Sequence, residues 1–193
     1  MIGHNIMILI CIEMITAPAT KPPTYYPNLP MGEYKFKIKA ASVCEHFEHA
    51  KLQINFYVSR TNATTYVMKG NFTYLIPFDD SMSLTLSFAK RGSIGGWAEN
   101  FHIYSTPKAC SKLNWIMGSI FSVLKKQFNW TGCPIKPGVY ATSEIDMEKF
   151  KDNNFPKVFF YGEYKLKISI TSSIGETLGC SNYYVDILRP WEV

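Results

Sequence analysis

The residues whose types and spacing could do chemistry are histidines, cysteines, a glycine-rich loop and alternating lysines. His46 and His49, in "CEHFEH", have a spacing that two metal ligands could use. A zinc site needs three or four ligands, and the pair has no clear distant partner, so both read as surface histidines beside acids. His102 falls in a strand-like segment and reads as structural. The loop "RGSIGGW" is rich in glycine, but it neither joins a strand to a helix nor precedes Lys-Ser/Thr, as a phosphate loop requires. No "GxSxG" nucleophile elbow occurs. A carboxylate pair assembled by the fold, drawn from 15 acids, is the remaining route to catalysis. We assign no catalytic residue, no metal and no cofactor, and read a protein that is not an enzyme.

The cysteines make better staples than nucleophiles. The run "IMILICIEMI" followed by "APA" resembles a secretory leader with a small-residue cleavage site, so residues 1–19 read as a signal peptide and 20–193 as the mature domain. A short buried N-terminal strand is the alternative. The run is too short to span a bilayer as a helix. Removing it takes Cys11 and leaves Cys44, Cys110, Cys133 and Cys180, an even set with three connectivities open. Sequons at Asn62 ("NAT"), Asn71 ("NFT") and Asn129 ("NWT") add candidate glycosylation sites and point the same way. Together these imply a secreted, disulfide-bonded glycoprotein.

The net charge of +5 is mild and the lysines are dispersed. With a secretory route, nucleic acid is not an expected partner, whereas an anionic membrane or glycan surface remains one. "GEYK" occurs twice, from Gly32 and from Gly162, each time opening a stretch that alternates apolar residues with lysine or small polar ones. The neighbouring sequences differ, so this reads as one local solution used twice, apolar inward and lysine outward. An anion-binding stripe is the competing reading; alternate lysines more often solvate a strand and guard an edge.

The elements that must position these residues are mostly strands. In "YKFKIKA" Tyr34, Phe36, Ile38 and Ala40 share a face; Leu52, Ile54, Phe56 and Val58 repeat the pattern, as do Leu84, Leu86 and Phe88. Such period-two alternation marks antiparallel sheets with one dry face. "TYVMKGNFTYLI" reads as two short strands around a turn at Lys69-Gly70-Asn71. Only Leu113–Phe128 has apolar intervals of three and four, predicting one amphipathic helix with Ser111 as its cap. The fold class is all-β, two antiparallel sheets forming a sandwich or β-cup with one helix. Periodicity alone leaves open whether the apolar faces meet in a filled core or line a cavity.

The last third of the chain resembles the ganglioside G(M2) activator proteins. "GCPIKPGVYATSE" and "YGEYKLKISITSSIGETLGCSNYYVDI" carry the matching positions: Cys133, Pro134, Lys136, Gly138, Tyr140, Gly162, Tyr164, Lys165, Ser172, Ser173, Gly175, Leu178, Gly179 and Cys180. That family belongs to the broader ML-type lipid-recognition group. The vertebrate activators carry further disulfides before Cys133; in having four cysteines the mature chain is more similar to secreted insect chemosensory proteins of the CheB-like group.

The resemblance implies a β-cup around an apolar cavity that takes acyl chains, and bridges Cys44–Cys180 and Cys110–Cys133. On that footing the expected function is binding, carrying or presenting a lipid or other hydrophobic ligand, either a glycolipid or a chemosensory one. The alternative is a surface that engages a glycosidase or receptor without bound lipid. Expected lining residues are Phe36, Ile38, Ile54, Phe56, Phe72, Tyr74, Leu86, Phe88, Leu166, Ile168 and Ile170, with Ile120, Phe121 and Leu124 from the helix. Ile94 and Trp97 of "SIGGW" are expected to touch membranes transiently, unless Trp97 closes its loop over the core.

Overall fold

The computed structural model describes residues 28–47, 49–61, 66–146 and 153–192. The expected leader, 1–19, and the sequon at Asn62 lie outside them. The elements run β1 (Met31–Gly32), β2 (Lys35–Val43), β3 (Leu52–Arg60), β4 (Tyr66–Tyr74), β5 (Ser83–Arg91), β6 (Trp97–Pro107), α1 (Ala109–Met117), α2 (Ser119–Gln127), β7 (Gly138–Asp146), β8 (Phe159–Phe160), β9 (Gly162–Thr171) and β10 (Thr177–Leu188). Among the described residues no helix is long and apolar enough to cross a membrane.

All strand pairings are antiparallel. One sheet has five strands in the order β2-β10-β9-β5-β6; the other has three, β3-β4-β7; β1 and β8 form a separate short pair. The dry faces of the larger sheets oppose each other, as the alternation requires: Leu52, Leu84, Ile170 and Val185 are fully or almost fully buried between them. Burial of such side chains, about 1.5–3 kcal/mol each, is the principal force holding the two sheets together.

Two bulges shift faces that alternation alone misassigns. In the β2–β10 ladder Ile38 pairs with Val185 but Ala40 with Tyr184, so Lys39 is an extra residue. Beyond it the inward residue is Ala41, and Ala40 is exposed. Lys39 turns out to meet Asp186 at 2.7 Å and Glu163 at 3.2 Å. In β4 the expected turn at Lys69-Gly70-Asn71 is instead a bulge within one continuous strand. Gly70 has φ 140, and a Cβ there would sit against the Asn55 carbonyl oxygen, so only glycine lets β3 and β4 stay paired.

The single expected helix is two. Gly118, at φ 57 and ψ −126, lies in a region that residues with a Cβ avoid, and it breaks the helix between Met117 and Ser119. The apolar stripe survives because Ile116, Ile120, Phe121 and Leu124 still face the core. Ser111 is not the cap. The residue at the start of α1 is Lys108, itself left-handed, and the first turn is satisfied from outside the helix: Asp80 accepts from the Ser111 N–H at 2.8 Å and its hydroxyl at 2.6 Å. Desolvation pushes the Asp80 carboxyl up, but these hydrogen bonds, with Lys108 nearby, outweigh it and hold it below the usual carboxylate value.

Both disulfides form. Cys44–Cys180 ties the end of β2 to β10 across 136 residues, and Cys110–Cys133 ties α1 to the segment before β7 across 23. In the loop-closure account each contributes about 3–5 kcal/mol by restricting the unfolded chain.

Candidate functional site

The sheets and helices do not close completely on one another. Between them lie two apolar hollows, an outer one of about 270 Å³ and an inner one of about 130 Å³. The outer hollow alone exceeds the roughly 150 Å³ at which an engineered apolar cavity accepts benzene. Phe36, Leu86, Ile116 and Phe155 border both.

The inner hollow is walled by both sheets and both helices. Ile38 comes from β2, Ile54 from β3, Phe72 and Tyr74 from β4, and Leu166, Ile168 and Ile170 from β9; Ile120, Phe121 and Leu124 of α2 close the remaining side. Phe72, Ile168 and Tyr183 face inward yet keep part of their surface uncovered, because what they face is the hollow. Phe88, the other β5 residue expected in the lining with Leu86, borders the outer hollow instead. Phe56 borders neither: its ring packs edge-on against Phe72, 4.7 Å between centroids, and so supports the wall from behind.

The outer hollow opens at an aromatic rim. His102 and Tyr104 of β6 and Trp115 of α1 are exposed there. The opposite side is a strap, 153–160, which the sequence pattern does not reveal because it has no periodicity. Asn154 anchors it to α1, its side-chain amide donating to the Trp115 carbonyl at 2.7 Å and its backbone N–H to the Ile116 carbonyl at 2.9 Å. The Tyr34 hydroxyl donates to the Pro156 carbonyl at 2.7 Å, and the Tyr164 hydroxyl to the Phe160 carbonyl at 3.0 Å. From this strap Phe155 projects between the hollows, stacked on Phe36 at 6.2 Å. Phe159 packs on Phe88 and Tyr164.

Among the described residues the polar groups along the cavity are few: His102, Asn154 and several tyrosines. Tyr164 borders neither hollow, and burial pushes its phenol up to about 12. Tyr74 rises further, by desolvation first and then by the nearness of Tyr183 and Tyr140. Tyr183 is also raised by burial, with a partly offsetting interaction from Ser181. These side chains therefore stay neutral hydrogen-bonding groups in an apolar setting. Among the described residues no group of three or more His, Cys, Asp or Glu could hold a metal ion; His46 and His49 are exposed on the turn after β2.

The remaining expected positions are distributed over the surface. Ile94 is fully exposed at the tip of the β5–β6 loop. Trp97 is not in that loop: it opens β6, half-buried on the outer face of the five-stranded sheet, with Arg91 at 5.3 Å and Lys165 at 5.8 Å over its ring and Tyr184 beside it. It therefore covers neither the core nor the cavity mouth. Asn129 is exposed at the end of α2, whereas Asn71 lies mid-strand in β4 and donates to Thr73 Oγ1 at 2.8 Å.

A two-sheet β-cup with an apolar interior matches a known family. A family model described as the ML domain covers residues 63–187. The chain belongs to the ML-domain family. The ML domain is generally a lipid-binding, non-enzymatic fold, and with two disulfides it fits an extracellular protein. A search of curated proteins found no match.

Proposed function

We propose that this ML-domain protein is a secreted, non-enzymatic carrier or presenter of a lipid or similar hydrophobic ligand, held with its hydrocarbon portion in the paired hollows. The observation that carries this reading is the uncovered apolar surface of inward-facing side chains, among them Phe36, Phe72, Phe155 and Ile168, around space that the described residues do not fill. A void lined by carbon forfeits dispersion contacts on one side, and a ligand chain restores them. Its burial contributes about 25 cal/mol per Å² of apolar surface, before the costs of association.

The likeness to ganglioside activators favours a glycolipid, and that to the CheB-like group a chemosensory ligand. The aromatic rim of Tyr104 and Trp115 suits transient contact with a membrane, with Ile94 as a second, separate contact. Expression through a secretory host, gentle purification and solvent extraction followed by mass spectrometry tests the reading. Co-purified lipid near one per protein is the expected result, and consistently lipid-free protein that also refuses added lipid refutes it.

A further inference from the structure

The inner hollow is not uniformly hydrocarbon. Tyr74 and Tyr183 both border it, and Tyr183 is close enough to Tyr74 to raise its phenol electrostatically. Beside Tyr183 lies Ser181, almost completely buried, whose hydroxyl interacts with the Tyr183 phenol but makes no hydrogen bond of normal length and angle. A buried hydroxyl so loosely paired is unfavourable, and native interiors rarely leave one so. Three hydroxyls from two facing strands, β4 and β10, are thus gathered where apolar residues would pack better.

We propose that the inner hollow is an oxygen-recognition subsite: Tyr74 and Tyr183, backed by Ser181, hydrogen-bond an uncharged oxygen carried on the buried part of the ligand. This deepens the carrier reading and rests on it. The ligand class is a long-chain amphiphile with a ketone, ester or hydroxyl oxygen at the end or along the part that enters first, not a plain alkyl tail. A phenol can donate to a carbonyl or accept from an alcohol, so both functions fit. A carboxylate does not: among the described residues no Lys, Arg or His borders the inner hollow, and burying an unpaired charge there is prohibitive. The high phenol pKa values keep both tyrosines protonated and able to donate at any physiological pH.

The test is displacement of a bound naphthylamine fluorophore by three probes of equal chain length: an alkane, the methyl ketone and the secondary alcohol. The affinity of the ketone and of the alcohol relative to the alkane should be about ten-fold higher in the wild-type protein than in Tyr183→Phe or Tyr74→Phe, which keep the ring and lose only the hydroxyl. The ratio is compared between proteins because a carbonyl or hydroxyl loses its water on entering a dry site and an alkane does not. The carbonyl stretch of the bound ketone should move to lower frequency in the wild type and return in the variants. The ratio is internal to each protein, so a variant that folds poorly does not mimic the result, and Tyr183→Phe alone decides if Tyr74→Phe fails to fold. A ratio that is the same in the wild type and in both variants overturns the subsite. Failure of every probe to bind the wild type overturns the carrier reading itself.

Discussion

Tyr34 and Tyr164, the tyrosines of the two "GEYK" stretches, hold the same strap from two sides. One donates to the carbonyl of Pro156 and the other to that of Phe160. Between these anchors β1 and β8 pair, with Gly32 opposite Phe159 and Met31 opposite Phe160. The repeated tetrapeptide is therefore one local device used at both ends of the wall that closes the outer hollow. If the strap controls ligand exchange, Tyr34→Phe with Tyr164→Phe should lower amide-exchange protection over 154–160 and speed ligand release several-fold. Each lost hydrogen bond should cost about 1 kcal/mol. Unchanged release with a loosened strap would mean ligands leave elsewhere.

Alkaline pH should unfold the protein earlier than its lysines alone would cause. The phenols of Tyr74, Tyr164 and Tyr183 are all raised by burial, Tyr164 to about 12. A folded-state pKa above the unfolded value, about 10 for tyrosine, means the native state holds more protons in that window. Their contribution is complete below pH 10 and is lost as the pH rises towards 12. Denaturant midpoints should be flat from neutrality to about pH 10 and then fall, with the last part of the tyrosinate absorbance appearing together with unfolding.

Gly118→Ala should destabilise the fold by about 1–3 kcal/mol, because its φ and ψ are costly for any residue with a Cβ. The hinge between α1 and α2 sets where Ile116 and Ile120 meet the hollow, so ligand affinity should fall as well. Thermal unfolding with and without ligand separates the two effects.

Phe155→Ala should join the hollows, since Phe155 borders both and stacks on Phe36. Stability should drop by about 1–3 kcal/mol, less than for a core phenylalanine because the ring is only partly buried. Bulkier or branched chains should gain affinity relative to slender ones. A uniform loss across chain shapes would argue that Phe155 simply packs.

Much of the architecture was legible because alternation and helical spacing report which face of an element is dry. Leu52, Leu84 and Leu166 face inward as their period requires. What period cannot report is an inserted residue or a backbone angle: Lys39 and Gly70 shift the faces of β2 and β4, and Gly118 divides the helix. Nor can it say whether inward residues touch, which is why a filled core and a cavity looked alike. The strap at 153–160 has no repeating pattern and is held by hydrogen bonds to backbone carbonyls, which leave no mark in residue spacing. Trp97 could be taken for a loop anchor because a strand's first residue and a loop's last are neighbours in sequence.

The central claim is that hydrocarbon enters the space between Phe72, Ile168 and Leu124. Crystals grown with a fatty chain brominated near the end that enters, measured at the bromine absorption edge, address it directly. The account predicts one strong anomalous peak inside the inner hollow, within contact distance of those three side chains. A well-ordered ligand-soaked crystal with bromine only on the outer surface, and the hollow collapsed, would contradict it.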